Sequence, residues 1–197
     1  MVGRRRRFDT DEVLTRSQEV FWVRGFDATS IEDITQATGL ARSSIYAAFG
    51  SKRGLFDAVM ERYLVLGIGE MLRPLEAGTD GLDDIIRFFE GWRDRIAREI
   101  DGSLGCLMVN TLAERGHIDP AIAAAGGDYL ARLVAAFRRP LAVAGERGEI
   151  DRAAIPRRSE VLMLLTTGLF VASRGRVRSQ IETLLDAAVA ELDSWRV

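Results

Sequence analysis

The sequence predicts an all-α chain, with a three-helix N-terminal head and a larger helical body, about nine helices in all. Three observations carry this. Apolar residues recur at three- and four-residue spacing along the whole length, the mark of helices that bury one face. No segment alternates apolar and polar with the period of two that a half-buried strand needs. Glycine, proline and Ser/Thr/Asp fall where such helices would start and stop. At 197 residues, 47% hydrophobic and 28% charged, the chain can bury a full core.

The elements follow in order. Val13, Leu14, Ser17, Val20 and Phe21 mark one face of a first helix that closes at Gly25. "TSIEDITQATG" supplies a short second helix, with Thr29 or Ser30 as N-cap and Glu32 or Asp33 completing a capping box. A third covers about Ala41 to Phe49, and a fourth runs from Ser51 towards Leu75. Leu82, Ile85, Ile86, Phe89, Trp92, Ile96 and Ile100 stripe the fifth, and a shorter one covers about Cys106 to Glu114. Asp119-Pro120 caps and opens the seventh, in which Pro140 predicts a kink or break. Two more are expected near Pro156–Arg174 and Val177–Trp195, giving a head over 1–56 and a body over 57–197.

Composition excludes several classes. A single cysteine, Cys106, rules out an internal disulfide and a cysteine-rich metal site. One histidine and no HExxH or convergent carboxylate cluster argue against an enzyme, a bound metal or a cofactor. The longest apolar run, 13 residues from Val161 to Ser173, is too short for a bilayer. No apolar stretch follows the N-terminal arginines, so export is not expected and a cytoplasmic location is. The net charge of −2 hides an asymmetry: residues 1–56 carry nine Lys and Arg against seven Asp and Glu, the remainder 18 against 22. A mildly basic head on an acidic body suits a head that meets nucleic acid.

Ser30 to Phe49 reads as two helices cornered at Thr38-Gly39-Leu40, with Ile31, Ile34, Leu40, Ile45 and Phe49 inward. That turns Arg42, Ser43, Tyr46 and Ala47 outward from the first turns of the second helix, the part of such a pair that enters a DNA major groove. Arg42 offers a bidentate fork to guanine, Ser43 and Ser44 offer hydroxyls, and Ala47 can meet a thymine methyl. Lys52 and Arg53, just after Ser51, oppose the helix dipole unless a phosphate sits there. Lys52 is the only lysine in the chain. Arg4 to Arg7 offer charge to a neighbouring minor groove or to DNA at large, with a solubilising arm as the alternative.

The stretch "TSIEDITQATGLARSSIYAAFGSKRGLF" resembles the DNA-binding head of the TetR/AcrR family of transcriptional regulators, over about residues 8–60. The resemblance implies a homodimer bound to double-stranded operator DNA, with a recognition helix at Ala41–Ala48. It assigns DNA contacts to Thr29, Ser30, Arg42, Ser43, Ser44, Tyr46 and Lys52. Three departures stand out: Thr35 in place of a usual alanine, which is expected to strain a tight helix contact, Ala41 in place of a capping serine, and Ala47-Ala48 in place of a bulkier pair.

"GCLMVNTLAE" and "GLFVASRGRV" resemble one branch of the same family, whose last two helices pair with their copies. On that reading Leu162, Leu165, Leu169, Phe170, Leu184, Leu185 and Leu192 form the dimer interface, with burial inside one chain as the alternative for part of the stripe. A pocket inside helices four to eight would take a small-molecule effector, with Phe89, Trp92, Met108, Asn110 and Tyr129 as candidate lining. Cys106 matches a branch position at which some relatives sense electrophiles or oxidants. The function implied is a repressor released from its operator by an effector; a ligand-independent regulator or activator, or a Cys106-based sensor, is the alternative.

Overall fold

The computed structural model describes residues 8–98, 105–175 and 177–197, with backbone alone for 95–98. Arg4–Arg7, Ile100 and the side chain of Ile96 lie outside the described residues. Every regular element among them is helical, and the chain divides into two compact units between Leu66 and Gly67.

The first unit holds α1 (Thr10–Arg24), α2 (Ile31–Thr38), α3 (Arg42–Phe49) and α4 (Lys52–Arg62). Local chemistry sets each end. The Asp9 carboxylate accepts the backbone N–H groups of Asp11 and Glu12 to start α1. Ser30 and Asp33 form a full capping box on α2, which ends at Gly39 in the left-handed region (φ 70°), where a side chain would be strained. Ala41 gives α3 no side-chain cap, whereas the Ser51 hydroxyl accepts the Gly54 N–H and starts α4.

Helix α1 packs on α2 and α4, and α3 packs on α4 and α2. Ile34, Ile45, Leu55 and Phe56 are fully buried between them, each contributing about 1.5–3 kcal/mol of transfer energy. Phe56 anchors the core with Phe21 and Phe26 edge-on at 5.1 and 4.9 Å. Since Leu55, Phe56, Val59 and Met60 all belong to this core, α4 is part of the head. Thr35 is half-buried and its hydroxyl donates to the Glu32 carbonyl at 2.8 Å, which satisfies its polar atom at the helix contact.

Beyond α4 the chain forms a π-helical stretch, Tyr63–Ile68, before α5 (Gly69–Glu76). Gly67 and Gly69 weaken the α ladder at that point. The second unit continues with α6 (Leu82–Arg98), α7 (Leu107–Arg115), α8 (Pro120–Glu146), a 3₁₀ turn (Arg152–Ala154), α9 (Ile155–Ser173) and α10 (Arg178–Asp193). Helix α8 is its centre, packed against α9, α5, α7 and α6, while α10 lies on α6 and α9.

Of the kink or break expected at Pro140, the break is absent: α8 runs through it for 27 residues. Proline removes one ladder bond at a cost of about 3 kcal/mol. Buried Leu133, Phe137, Leu141 and Ala144 on either side of Pro140, itself buried, hold the two halves in one continuous helix. At one end of this unit Arg87 pairs with Asp80 and Asp84, and Arg196 with Asp83 and Glu149, tying the start of α6 to the C-terminal residues. Among the described residues no helix is long and apolar enough to cross a membrane.

Candidate nucleic-acid interface

Helices α2 and α3 and their Gly39 corner place the sequence-predicted contacts unequally. Arg42, Ser43 and Ala47 are exposed on α3, and Ser44 and Tyr46 half-exposed, while Ile45 faces the core. This leaves one polar face outward from the start of the helix.

Arg42, the first residue of α3, is already engaged within the head. Its guanidinium donates to a Glu32 carboxylate oxygen at 2.9 Å and to the Tyr46 hydroxyl at 3.3 Å, and lies 5.4 Å from the Tyr46 ring centre. The Tyr46 hydroxyl, and then Glu32, hold its pKa above the ordinary arginine value. In the sequence Glu32 stands out only as a cap candidate. Asp33 makes the capping box, which turns the Glu32 side chain over to Arg42.

Thr29 and Ser30 have internal partners. Thr29 is 2% exposed, and its hydroxyl donates to the Gly25 carbonyl at 2.6 Å. The exposed Ser30 gives its backbone N–H and hydroxyl to Asp33 at 2.8 and 2.7 Å. Those two bonds, with Arg24 adding at 3.1 Å, hold the Asp33 carboxyl below its usual range. Lys52 is half-buried, its ammonium donating to the carbonyls of Phe26 and Thr29, both at 2.8 Å, and lying 4.3 Å from the Phe26 ring centre. It clamps the α1–α2 loop onto the start of α4. Arg53, beside it, pairs with Asp57 at 2.7 Å.

In the second unit the candidate effector residues fall into two groups. Phe89 is fully buried and stacks with Phe137, while Trp92 meets Phe170 edge-on at 4.7 Å. Met108 is fully buried on α7. The Cys106 thiol, also fully buried, donates to the Tyr129 hydroxyl at 3.6 Å, and Asn110 is half-buried one turn along. Trp92 lines an open groove of about 330 Å³ between α5 and α6, with Met71, Pro74, Arg87 and Phe88. Among the described residues no three His, Cys, Asp or Glu are placed to hold a metal.

Of the expected interface residues, Leu162, Phe170, Leu185 and Leu192 are at most 1% exposed and Leu169 is buried, all within their own chain. Leu165 and Leu184 are half-buried. The apolar surface lies a step round α9, at Leu164 and Val171, 62% and 60% exposed, with Gly168 between them. Two hollows of about 670 and 410 Å³ share Leu164, Gly168 and Ala172 on this face, and the expected Leu165, Leu169 and Leu184 line the smaller one as well.

Comparison with known proteins agrees with the head's geometry. Residues 13–59 match the family model described as bacterial regulatory proteins, tetR family. The chain is 31% identical over 150 residues to the uncharacterized HTH-type transcriptional regulator YezE of Bacillus subtilis, covering 76% of this chain and 77% of that one. It is 26% identical over 194 residues to the HTH-type transcriptional repressor ComR of Escherichia coli, covering 98% and 91%. A cysteine mutant of the TetR-family regulator CifR, solved with 26-bp operator DNA, superposes with a TM-score of 0.82 at 25% identity over 95% of this chain and 98% of that one. With its capped helix-turn-helix and these relatives, the chain belongs to the TetR family of bacterial transcriptional regulators, which are regulators rather than enzymes.

Proposed function

We propose that the protein is a homodimeric repressor that binds operator DNA through α3 and leaves it when a small molecule binds the second unit. The observation that carries the reading is the α3 face, where Arg42, Ser43, Tyr46 and Ala47 look outward from a helix anchored by Ile45. Arg42 reads guanine, the serine hydroxyls meet bases or phosphates, and Ala47 admits close approach. The exposed Leu164, Gly168 and Val171 face supports pairing of two copies, since contiguous apolar surface of this kind marks an interface. ComR is named a repressor, which supports the sign of control. The effector would favour a body conformation in which two heads no longer match successive major grooves about 34–36 Å apart.

Fluorescence anisotropy with DNA from upstream of its own gene, against random duplex at two salt concentrations, tests this. A preference of about 10³-fold or more is expected. Equal, salt-sensitive binding to both, or no loss of the complex across an effector screen, would overturn the specific or the ligand-released part respectively. The Cys106 sensor is the alternative, and the structure weighs against it: the thiol is fully buried at the start of α7 and donates to the Tyr129 hydroxyl, so an electrophile reaches it only after local opening. On that reading an electrophile adds to Cys106 and releases DNA, and Cys106→Ser abolishes the response.

A further inference from the structure

We infer that Glu32 is a specificity-determining residue of the DNA interface: it holds Arg42 for a neutral base edge and against phosphate. The inference rests on the DNA-binding reading of α3. Glu32 is the second residue of α2 and Arg42 the first of α3, and both side chains are more than half exposed on the face given to DNA. The contact at 2.9 Å makes a net neutral pair, which withdraws one cation from the head's electrostatic attraction. The guanidinium is held at two points on Glu32 and the Tyr46 hydroxyl, which fixes its plane and leaves further N–H donors to point elsewhere.

A phosphate and a guanine meet this arrangement differently. A phosphate approaching Arg42 also approaches the Glu32 carboxylate, and the two anions repel. A guanine edge is neutral and presents two acceptors, O6 and N7, to the guanidinium fork. It can therefore join Arg42 while Glu32 stays on the other edge as a buttress. Random DNA gains little from Arg42 in this state, and a guanine at the right register gains the full bidentate pair.

The test uses the full chain, a duplex recovered by in vitro selection with the wild-type protein, and an alternating A·T duplex of equal length that offers no guanine. Glu32→Gln keeps the side chain's size and removes its charge. If Arg42 in each of the two subunits then neutralises one more phosphate, the salt slope of the dimer steepens by about 1.8 and binding at 0.1 M salt tightens by roughly 25- to 100-fold. That tightening is expected on the A·T duplex, with a change of less than about twofold on the selected one, so the ratio between them falls. In an Arg42→Ala background, Glu32→Gln is expected to leave the ratio unchanged. Equal tightening on both duplexes, tightening that persists without Arg42, or none at all overturns the inference. Selection that enriches no duplex with the wild-type protein refutes instead the DNA-binding reading beneath it.

Discussion

Replacing Lys52 with methionine keeps the aliphatic stem and removes the ammonium that donates to the carbonyls of Phe26 and Thr29, both at 2.8 Å. Hydrogen bonds from a charged donor contribute about 1.5–3 kcal/mol each when shielded. Half-burial lets water replace part of that, and ordering a long side chain costs up to about 2 kcal/mol. The ring of Phe26 at 4.3 Å adds back about 0.5 kcal/mol. The expected net loss is about 2 kcal/mol, or roughly 4–8 °C in Tm if the chain unfolds in one transition. Denaturant unfolding and amide hydrogen exchange at residues 25–30 measure it, since the clamp holds that loop. On DNA, the salt slope should fall by about one per subunit if the ammonium also meets a phosphate. Wild-type stability to within about 0.5 kcal/mol, together with unchanged exchange in the loop, would refute the clamp.

Three further outcomes are expected. Gly105→Ala should unfold or severely destabilise the second unit: its φ is 72°, and a Cβ there would lie 2.5 Å from the Phe170 carbonyl oxygen; a Tm within a degree or two of wild type contradicts this. Because Ser30 and Arg24 depress the Asp33 pKa in the fold, its stabilising effect is present above about pH 4 and fades as pH falls through the lower folded value. Asp33→Asn should flatten that acid limb of stability, and an unchanged limb assigns the acid sensitivity elsewhere. Leu164→Asp should convert dimer to monomer by light scattering with helicity retained, whereas Leu162→Ala, fully buried, should cost about 2–5 kcal/mol in unfolding. Loss of fold in the first or of association alone in the second would reverse the assignment of the two faces.

The head was legible because its signals are local. Ser30 and Asp33, Gly39, Ser51 and the Ile34 and Ile45 spacing each act within a few residues, and the structure uses them as caps, corner and core. What the sequence left open was the choice among partners for a polar side chain. Thr29 and Lys52 carry groups equally able to bind a phosphate or a backbone carbonyl, and only folding brings Gly25, Phe26 and Thr29 within reach. Glu32 was hidden for the same reason, since two adjacent acids could each complete the capping box and the loser's partner lies ten residues away.

In the body the obstacle is different. A hydropathy stripe reports that a helix face leaves water, and not whether its own chain or a second copy covers it. Leu162, Leu169 and Phe170 form the stronger stripe on α9, and α8, α7 and α10 cover that helix from the same chain. The weaker stripe, Leu164, Gly168 and Val171, is left outward. Its weakness fits an interface: a glycine between two exposed apolar residues lets a second helix approach closely, as small residues do wherever helix backbones cross at short range. A helix buried on one side by its own fold has only its remaining face for a partner. The exposed stripe, with Leu165 and Leu184 at the margin of the same hollow, is therefore where association should be sought, and Leu164→Asp probes that face while sparing the core beneath it.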